Sequence, residues 1–371
     1  MTKDCGGWPA SSAEASDRSR NAMILCPARL EPVFSPRPWG SRSLAPFFPN
    51  MLDLAEPIGE AWMTGNECRF TNGPFAGRKL SEVWPEMPPE WTGIEVQHDG
   101  DFPLLVKFIF PQDKLSVQVH PDDEYAARHE QAAGGRGKTE MWYAVDARPG
   151  AEVLVGLKPS VTREGFARAI TDGAAEDCLE HIPLRSGDAV FVPAGTAHTI
   201  GPGLVLCEVQ QNSDLTYRAY DYNRRDAKGQ SRPLHIDKAL EVMRFGKQCG
   251  GKIEPVAKQR GSNVETHYAA CRYFATARWT ITERAEAASS REHFDLLIFL
   301  EGHGHILWRA ERIQYAPAQA WLIPAALGKF EIVPGSYTSL LRTYVPGDLK
   351  ELKHRFAEQG MSEEQWAQIV H

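Results

Sequence analysis

The chain has 371 residues, 42% of them hydrophobic and 24% charged, and its formal net charge is −7. That composition is typical of a globular protein, and the negative charge excludes a broad basic surface for nucleic acid or an anionic membrane. No apolar run approaches the roughly 20 residues that cross a bilayer. The seven cysteines are scattered, odd in number and without a Cys-x-x-Cys pair. They predict reduced thiols and a cytoplasmic location.

The first segment, residues 1–24, is predicted to be a flexible N-terminal extension. Its first 22 residues are rich in Ser, Ala, Gly and charge. They lack the apolar stretch of a signal peptide. Met23 is an alternative start, and the sequence does not decide between the two.

Short apolar runs separated by 31 glycines and 26 prolines predict many short strands. In chain order, strands are expected over residues 104–110, 114–120, 142–145, 152–157, 187–193 and 204–209. Helices are expected from a cap at Asp122 or Asp123 through Arg128 to Gln131, over 162–170 and over 233–245, where apolar residues recur at helical spacing.

A second block follows the Gly-rich break at Cys249-Gly-Gly251. It begins with a strand within residues 293–304. Ala320-Trp-Leu-Ile-Pro324 then repeats the pattern of Ala189-Val-Phe-Val-Pro193, which predicts two related β-barrels in tandem. After this strand Ala325-Ala-Leu-Gly328 stands where the first block has Ala194-Gly-Thr-Ala-His198. The second barrel is therefore predicted to hold no metal.

Four residues of the first block are candidate metal ligands: Gln118, His120, Glu140 and His198. Side chains alternate along a strand, so Gln118 and His120 project from the same face. Glu140 begins an apolar strand, where a carboxylate is costly to bury without a cation, which a metal ion, Lys138 or Arg136 could supply. Two imidazoles, a carboxylate and an amide oxygen suit a divalent ion with an open position. The alternatives are a Gln118 that only hydrogen-bonds its neighbours and a His198 exposed on a plain turn.

Three further polar residues are expected near these ligands. Lys138 precedes Glu140 by two positions, so both can face one cavity, although a surface lysine is the alternative. Glu208 interrupts an apolar strand, which indicates an inward carboxylate that acts as a base or bonds an arginine. Ser116 shares the face of Gln118 and is a candidate phosphate contact or simply a polar strand residue.

Arg218 lies in a polar run directly after the strand that contains Glu208. It is either an arginine of a solvated loop, paired with Asp214 or Asp221, or an arginine aimed into the barrel. An inward arginine suits a phosphate or a developing oxyanion, because its planar fork donates two hydrogen bonds at once.

Five motifs in order resemble the type I mannose-6-phosphate isomerases of the shorter bacterial form, which belong to the cupin superfamily. The similarity extends from near Pro27 to about Pro346. The motifs are Ile58-Gly-Glu-Ala-Trp62, residues 115–123, residues 137–143, Val192-Pro-Ala-Gly-Thr-Ala-His198, and the run from Glu208 to Arg218 that continues to Asp221.

This resemblance implies a mainly β fold of tandem cupin jelly-roll barrels (double-stranded β-helices) with a few short helices. It implies one Zn²⁺ per chain and interconversion of mannose 6-phosphate and fructose 6-phosphate through an enediol. The family's zinc ligands fall on Gln118, His120, Glu140 and His198. Its active-site arginine falls on Arg218 and its pocket lysine on Lys138, and Asp214 matches an aspartate four residues before the arginine.

The expected organisation has a metal-binding catalytic cupin domain with helical insertions (25–248). A second cupin-like domain without metal (249–346) and a C-terminal helical tail (347–371) follow. The catalytic candidates are Arg218, Lys138, Asp214 and Glu208, and Ser116, Lys138 and Arg218 are the candidates for substrate binding. The expected partner is a small sugar phosphate, with no nucleic acid and no membrane, and the chain is expected to be a monomer or homodimer.

Two other functions fit part of the pattern. Two histidines and one carboxylate also form the iron site of cupin oxygenases, which would leave Lys138, Arg218 and Gln118 without a purpose. A non-catalytic cupin that binds sugar phosphate is the other alternative, although such modules commonly lose ligands that this barrel retains.

Overall fold

The structure, a computed structural model, describes residues 24–96, 100–225, 229–246 and 249–371. All but the last residue of the predicted N-terminal extension lies outside the described residues. The described chain is built mainly of antiparallel strands, arranged in four sheets.

Among the described residues, thirteen strands lie before the Gly-rich break at Cys249-Gly-Gly251, and a fourteenth begins at its last residue. They are β1 Ala28–Glu31, β2 Val33–Ser41, β3 Ile58–Trp62, β4 Arg69–Phe70, β5 Leu104–Ile109, β6 Val117–Val119, β7 Glu140–Ala147, β8 Glu152–Leu157, β9 Leu179–Pro183, β10 Ala189–Val192, β11 His198–Ile200, β12 Leu204–Gln211, β13 Tyr217–Tyr220 and β14 Gly251–Lys252.

Ten more strands form the second block. They are β15 Val256–Arg260, β16 Asn263–Ala270, β17 Ala275–Ile281, β18 Ala285–Ala288, β19 Asp295–Glu301, β20 Gly304–Trp308, β21 Glu311–Tyr315, β22 Gln319–Ile323, β23 Lys329–Pro334 and β24 Thr338–Tyr344.

The helices are short and lie between strands or at the C-terminus. They are α1 Leu80–Val83, α2 Pro89–Thr92, α3 Asp123–His129, α4 Arg163–Asp172, α5 Ile236–Val242, α6 Leu349–Glu358 and α7 Glu363–Ile369. Among them, α3 and α4 begin at the predicted capping residues: Asp122 accepts a hydrogen bond from the Tyr125 amide, and Thr162 from the Gly165 amide. Helix α5 is shorter than predicted.

Each barrel consists of one large and one small sheet. The first barrel has the seven-stranded sheet β14-β10-β7-β12-β5-β3-β2 and the five-stranded sheet β13-β6-β11-β8-β9. The second has the eight-stranded sheet β15-β16-β17-β24-β19-β22-β1-β4 and the four-stranded sheet β18-β23-β20-β21. The run β10-β7-β12-β5-β3-β2 has the same topological order as β22-β19-β24-β17-β16-β15. The predicted mainly β fold of tandem barrels is confirmed.

Three strands of the described chain lie in the barrel that the other sequence block mainly forms. Strand β1 pairs with β22, and β4 pairs with β1, so both extend the large sheet of the second barrel. Strand β14 pairs with β10 of the first barrel. The domain boundaries at residues 248 and 346 remain a prediction, but the two barrels exchange strands across the first of them.

Apolar side chains fill the barrels and join them. Trp142 and Leu206 belong to the buried cluster inside the first barrel. Phe108 and Tyr143 belong to a larger cluster that continues into the second barrel, where the Tyr143 ring meets the Tyr268 ring edge-on at 5.4 Å. Each fully buried aromatic side chain contributes roughly 2–3 kcal/mol of transfer free energy. The aromatic contacts between the barrels therefore make them one packed unit.

No helix within the described ranges combines the length and the apolar character that a membrane span requires. The six described cysteines are free thiols, as predicted.

Candidate metal centre and its cavity

The two histidines and the carboxylate predicted as ligands meet inside the first barrel. His120 follows β6, His198 begins β11 and Glu140 begins β7, so three different strands supply them. Ligand atoms of the three residues all lie within 4.8 Å of one another. His120 Nε2 is 3.2 Å from Glu140 Oε1, and His198 Nε2 is 4.0 Å from Glu140 Oε2. All three side chains are buried, and the group could hold a metal ion.

Backbone carbonyls orient both imidazoles. His120 Nδ1 lies 2.8 Å from the carbonyl oxygen of Leu215, and His198 Nδ1 lies 2.9 Å from that of Thr196. A carbonyl only accepts, so each Nδ1 carries the proton and each neutral ring keeps its lone pair on Nε2. Both Nε2 atoms face Glu140. This is the arrangement in which outer hydrogen bonds fix histidine ligands for a metal.

The electrostatics keep the histidines neutral and the carboxylate ionised. Burial, reinforced by His120, lowers the pKa of His198 to about 3. Burial and Lys138 also lower the pKa of His120. Burial acts to raise the pKa of Glu140, but Lys138 and His120 outweigh it and hold that pKa well below its usual range. Neutral imidazoles and an ionised carboxylate are the protonation states that bind metal.

The Glu140 residue is 0% exposed, yet both oxygens of its carboxylate are without a hydrogen bond among the described residues. A carboxylate in that position needs a cation. Lys138 forms a close ion pair with Oε1, and its Nζ is also 3.3 Å from His120 Nε2. Lys138 is thus buried beside the cluster, in agreement with the prediction that it shares a cavity with Glu140. It is not the surface lysine of the alternative.

Gln118 completes the predicted ligand set geometrically. It lies directly opposite His198 across the β6–β11 pair, and its Nε2 is 3.2 Å from His198 Nε2. A half-turn of the amide group exchanges nitrogen and oxygen, so this position can offer an oxygen to the same point. Its role as a ligand remains a prediction.

A cavity of about 470 Å³ adjoins the cluster. Gln118 and Lys138 line it and also contact the His–Glu–His group, so they form the boundary between the two. The other predicted site residues on its wall are Ser116, Glu208, Asp214 and Arg218. All nine residues predicted for the site therefore lie in the cluster or on the cavity wall.

A buried network of charges forms one side of the cavity. Lys107 Nζ lies 3.2 Å from Asp214 Oδ1 and 3.8 Å from Glu208 Oε1, and Lys138 Nζ lies 3.9 Å from the same Glu208 oxygen. Trp142 Nε1 donates to the other oxygen of Glu208 at 3.0 Å. Burial and the charge of Glu140 raise the pKa of Glu208 to about 7. Among the described residues, Glu208 contacts Trp142, Lys107 and Lys138 and forms no hydrogen bond or ion pair with Arg218.

Asp214 stays ionised within this network. Burial acts to raise its pKa, but Lys107 and then Lys138 outweigh that effect, and the net direction is downward. Glu60 behaves in the same way, because Lys107 and Arg37 outweigh its burial. The ionised carboxylates of Asp214 and Glu60 and the charge of Lys107 therefore surround Glu208. Of these three carboxyl groups, Glu208 is the one whose pKa is raised.

Arg218 lies on the cavity wall and is anchored by backbone. It donates from a terminal nitrogen to the carbonyl oxygen of Pro233 at 3.0 Å, and its buried Nε has no hydrogen-bond partner among the described residues. Asp221, one of the two partners in the solvated-loop alternative, is instead held by Arg224 and Arg232 at 2.6 and 2.5 Å. Arg218 is therefore free to donate toward the cavity.

Sequence reasoning missed four basic residues of the cavity wall: Arg37, Lys107, Arg232 and His235. One of them left a signal, since Lys107 interrupts the otherwise apolar strand 104–110 and is only 2% exposed. Arg37 bonds Glu60 at 2.9 Å across the β2–β3 pair. The other two lie in a loop and at a helix start, where spacing carries no information about direction.

Comparison with known proteins agrees with this geometry. Residues 28–150 match the family described as phosphomannose isomerase type I, catalytic domain, and residues 264–344 match the mannose-6-phosphate isomerase cupin domain. The chain is 38% identical over 311 residues to a Bacillus subtilis (strain 168) protein named probable mannose-6-phosphate isomerase GmuF, covering 82% of this chain and 96% of that protein. It is 34% identical over 315 residues to mannose-6-phosphate isomerase ManA of the same strain, covering 84% and 96%.

A solved structure shows the same fold. The crystal structure of mannose 6-phosphate isomerase from Bacillus subtilis superposes with a TM-score of 0.78 at 30% identity, over 85% of this chain and 99% of that one. These similarities confirm the resemblance predicted from the five motifs. The chain belongs to the type I mannose-6-phosphate isomerase family.

Proposed function

We propose that this protein interconverts mannose 6-phosphate and fructose 6-phosphate. The observation that carries the proposal is the buried His120–Glu140–His198 cluster next to a cavity lined with arginine, lysine and carboxylate, in a chain of this family. The reaction moves one proton between neighbouring carbons of an open-chain sugar. It therefore needs a stabiliser of negative charge on oxygen and a group that holds a proton.

We infer that His120, Glu140 and His198 hold a single Zn²⁺ and that Gln118 contributes an amide oxygen. The donor set of two imidazole nitrogens and two oxygens is one that zinc accepts, and the buried carboxylate of Glu140, whose oxygens have no hydrogen bond, fits a cation. When bound, a divalent ion supplies Lewis-acid stabilisation of negative charge on a substrate oxygen. Lys138 stays beside Glu140 as a second positive group.

The arginines around the cavity suit the anionic part of the substrate. Burial lowers the pKa of Arg218, and the nearby charge of Arg232 lowers it further. Arg37 lies on the same wall. A phosphate dianion would relieve this mutual repulsion and accept several charge-assisted hydrogen bonds. Ser116, on the wall beside Gln118, can donate its hydroxyl hydrogen to the same ligand.

Glu208 is the residue best suited to carry the transferred proton. Its pKa near 7 lets the carboxyl group accept and return a proton at neutral pH. Asp214 is less suited, because Lys107 and Lys138 keep it ionised. The bond from Trp142 fixes one oxygen of Glu208 and leaves the other available. Arg218, with its unpartnered Nε, is suited to donate to the oxygens that gain charge in the enediol.

The deciding experiment is metal analysis of the purified protein combined with an isomerase assay on mannose 6-phosphate. We expect about one zinc per chain, loss of activity with a chelator and recovery on adding Zn²⁺. Turnover that survives complete metal removal would refute the role of the cluster. Oxygen uptake with ferrous iron in place of isomerisation would refute the isomerase and support the oxygenase alternative. Cytoplasmic location and monomeric or dimeric state remain predictions.

A further inference from the structure

The second barrel contains a cavity that the proposed isomerisation does not use. Its volume is about 350 Å³, which lies in the range of small-molecule sites. Strands β16, β17, β18 and β24 form its wall, so it opens on the second barrel and not on the metal centre. Six of its lining residues carry the argument: Arg260, Glu265, Trp279, Thr280, Arg284 and Arg342.

The carboxylate deepest in this wall is already occupied by its neighbours. Glu265 accepts two hydrogen bonds from Arg260, at 3.0 and 3.3 Å, and one from Trp279 Nε1 at 3.2 Å. The other glutamate on the wall, Glu286, is exposed at the mouth. The interior of the cavity therefore has few acceptors to offer a ligand.

Donors, by contrast, remain available. One terminal nitrogen of Arg342 pairs with Asp295 at 2.9 Å, but its Nε is buried with no hydrogen-bond partner among the described residues. The hydroxyl group of Thr280 is buried and equally unpartnered. Arg284 uses one nitrogen on Glu331 at 2.5 Å and leaves the rest of its fork to the mouth. Buried donors without partners are costly, so a ligand with several acceptor oxygens would stabilise this wall.

The aromatic ring of Trp279 defines the rest of the ligand. The Arg342 guanidinium lies 5.6 Å from its centroid, so ring and cation form one continuous wall. An indole face packs well against the carbon skeleton of a small organic molecule. Three guanidinium groups on the same wall match the three acceptor oxygens of a phosphate monoester better than the two of a carboxylate.

We propose that the second barrel binds a small organic phosphate in this cavity, separate from the proposed catalytic site. The phosphate lies among Arg260, Arg284 and Arg342, and the carbon skeleton packs on Trp279. This site goes beyond the isomerase proposal and does not depend on it.

Isothermal titration with glucose 6-phosphate tests the proposal on the metal-loaded, full-length protein. Arg260 and Arg284 are 48% and 61% exposed, so the double variant R260A/R284A is expected to fold. We expect the wild type to bind one ligand at this cavity in addition to any bound in the first barrel. In R260A/R284A the Kd of that site should rise about tenfold or more. Isomerase activity without added ligand should be unchanged, because neither arginine touches the first barrel's cavity.

The matched control is Arg312→Ala, which removes an exposed arginine from β21 of the same barrel but outside the cavity. It should retain wild-type binding at both sites. Wild-type titration curves in R260A/R284A would overturn the proposal. So would an equal loss of affinity in Arg312→Ala, which would indicate only a general effect of surface charge.

Discussion

The two barrels share a strand order and a pairing register but fill corresponding positions with different charges. In the first barrel, Glu60 is the cross-strand partner of Ile109, and Lys107 is the partner of Glu208. Glu208 is in turn the partner of Trp142, which lies two residues after Glu140 in β7. In the second, Glu265 faces Trp279, Ala277 faces Arg342, and Arg342 faces Leu297, two residues beyond Asp295. By register, Asp295 takes the place of Glu140, and Arg342 takes that of Glu208.

This substitution changes what the barrel interior can do. Glu140 forms a close ion pair with Lys138, and its oxygens also face the Nε2 atoms of two neutral histidines. Asp295 instead pairs with Arg342 at 2.9 Å and lies 3.5 Å from His293. Both carboxylates thus have a counter-charge from the protein, but among the described residues only Glu140 also meets two imidazole nitrogens that could join it in holding a cation. A buried carboxylate indicates a metal site only where further donor atoms converge on it.

The largest effect is expected from Glu140→Gln. Removing the charge should deplete bound metal and lower kcat/KM by roughly 10³-fold, since a metal acting as Lewis acid supplies several kcal/mol. Metal analysis and steady-state kinetics would measure both. The matched change Asp295→Asn in the second barrel should leave metal content intact. Full activity in Glu140→Gln would break the functional contrast between the barrels.

Asp295→Asn should instead reduce stability. It leaves the Arg342 guanidinium without its buried counter-charge, which costs about 3 kcal/mol in the free energy of unfolding. Urea denaturation would measure the loss. Arg284→Ala breaks an exposed pair in the same barrel and should cost no more than about 1 kcal/mol. Equal costs for the two variants would mean that the Asp295–Arg342 pair does not neutralise the barrel interior.

Arg218→Ala tests the electrostatics of the first cavity without touching the metal ligands. We expect kcat to fall about 10²-fold with metal content unchanged, the effect of losing one donor to a developing oxyanion. The control, Arg224→Ala, removes an arginine from the same polar segment that pairs with Asp221 and Asp113. It should retain kcat. An unchanged rate in Arg218→Ala would remove that residue from the mechanism.

The smallest effect concerns pH and the second barrel. Burial lowers the pKa of His267 to about 4, although Glu265 opposes the shift. The unfolded chain, with a histidine pKa near 6.5, therefore binds more protons between those values, and stability falls as the pH drops through that window. The loss between pH 7 and pH 5 should be about 2 kcal/mol. His267→Phe should reduce the loss measured in denaturation curves by about this amount, since the buried histidines of the first barrel contribute separately, and an unaltered slope would contradict the assignment.

The sequence predicted the convergence of His120, Glu140 and His198 well because strand alternation is a strong constraint. Gln118 and His120 share a face for a geometric reason, and Glu140 was conspicuous at the start of an apolar strand. The predicted strands recurred with shifted ends, and helices α3 and α4 began at their predicted caps. The C-terminal tail that was predicted to be helical contains helices α6 and α7.

Other features depend on tertiary pairing that no local pattern reveals. Arg232 and His235 reach the cavity from a loop and from a helix start. The repeat of Ala189–Pro193 at Ala320–Pro324 indicated two barrels, but not that Asp295 would correspond to Glu140. That correspondence follows from the register between β19 and β24, which is set by residues far apart in the chain.

Strand β1 has a consequence for how the protein is made. Ala28 and Leu30 lie opposite Leu322 and Ala320, so the earliest described strand must wait for one of the last to leave the ribosome. Until β22 has been synthesised, the apolar side chains of β1 must be covered by other parts of the chain or by chaperones. Bringing β1 and β22 together closes a very long loop, which makes folding slow. A nascent chain halted before β22 would expose an unpaired strand edge that is prone to aggregation.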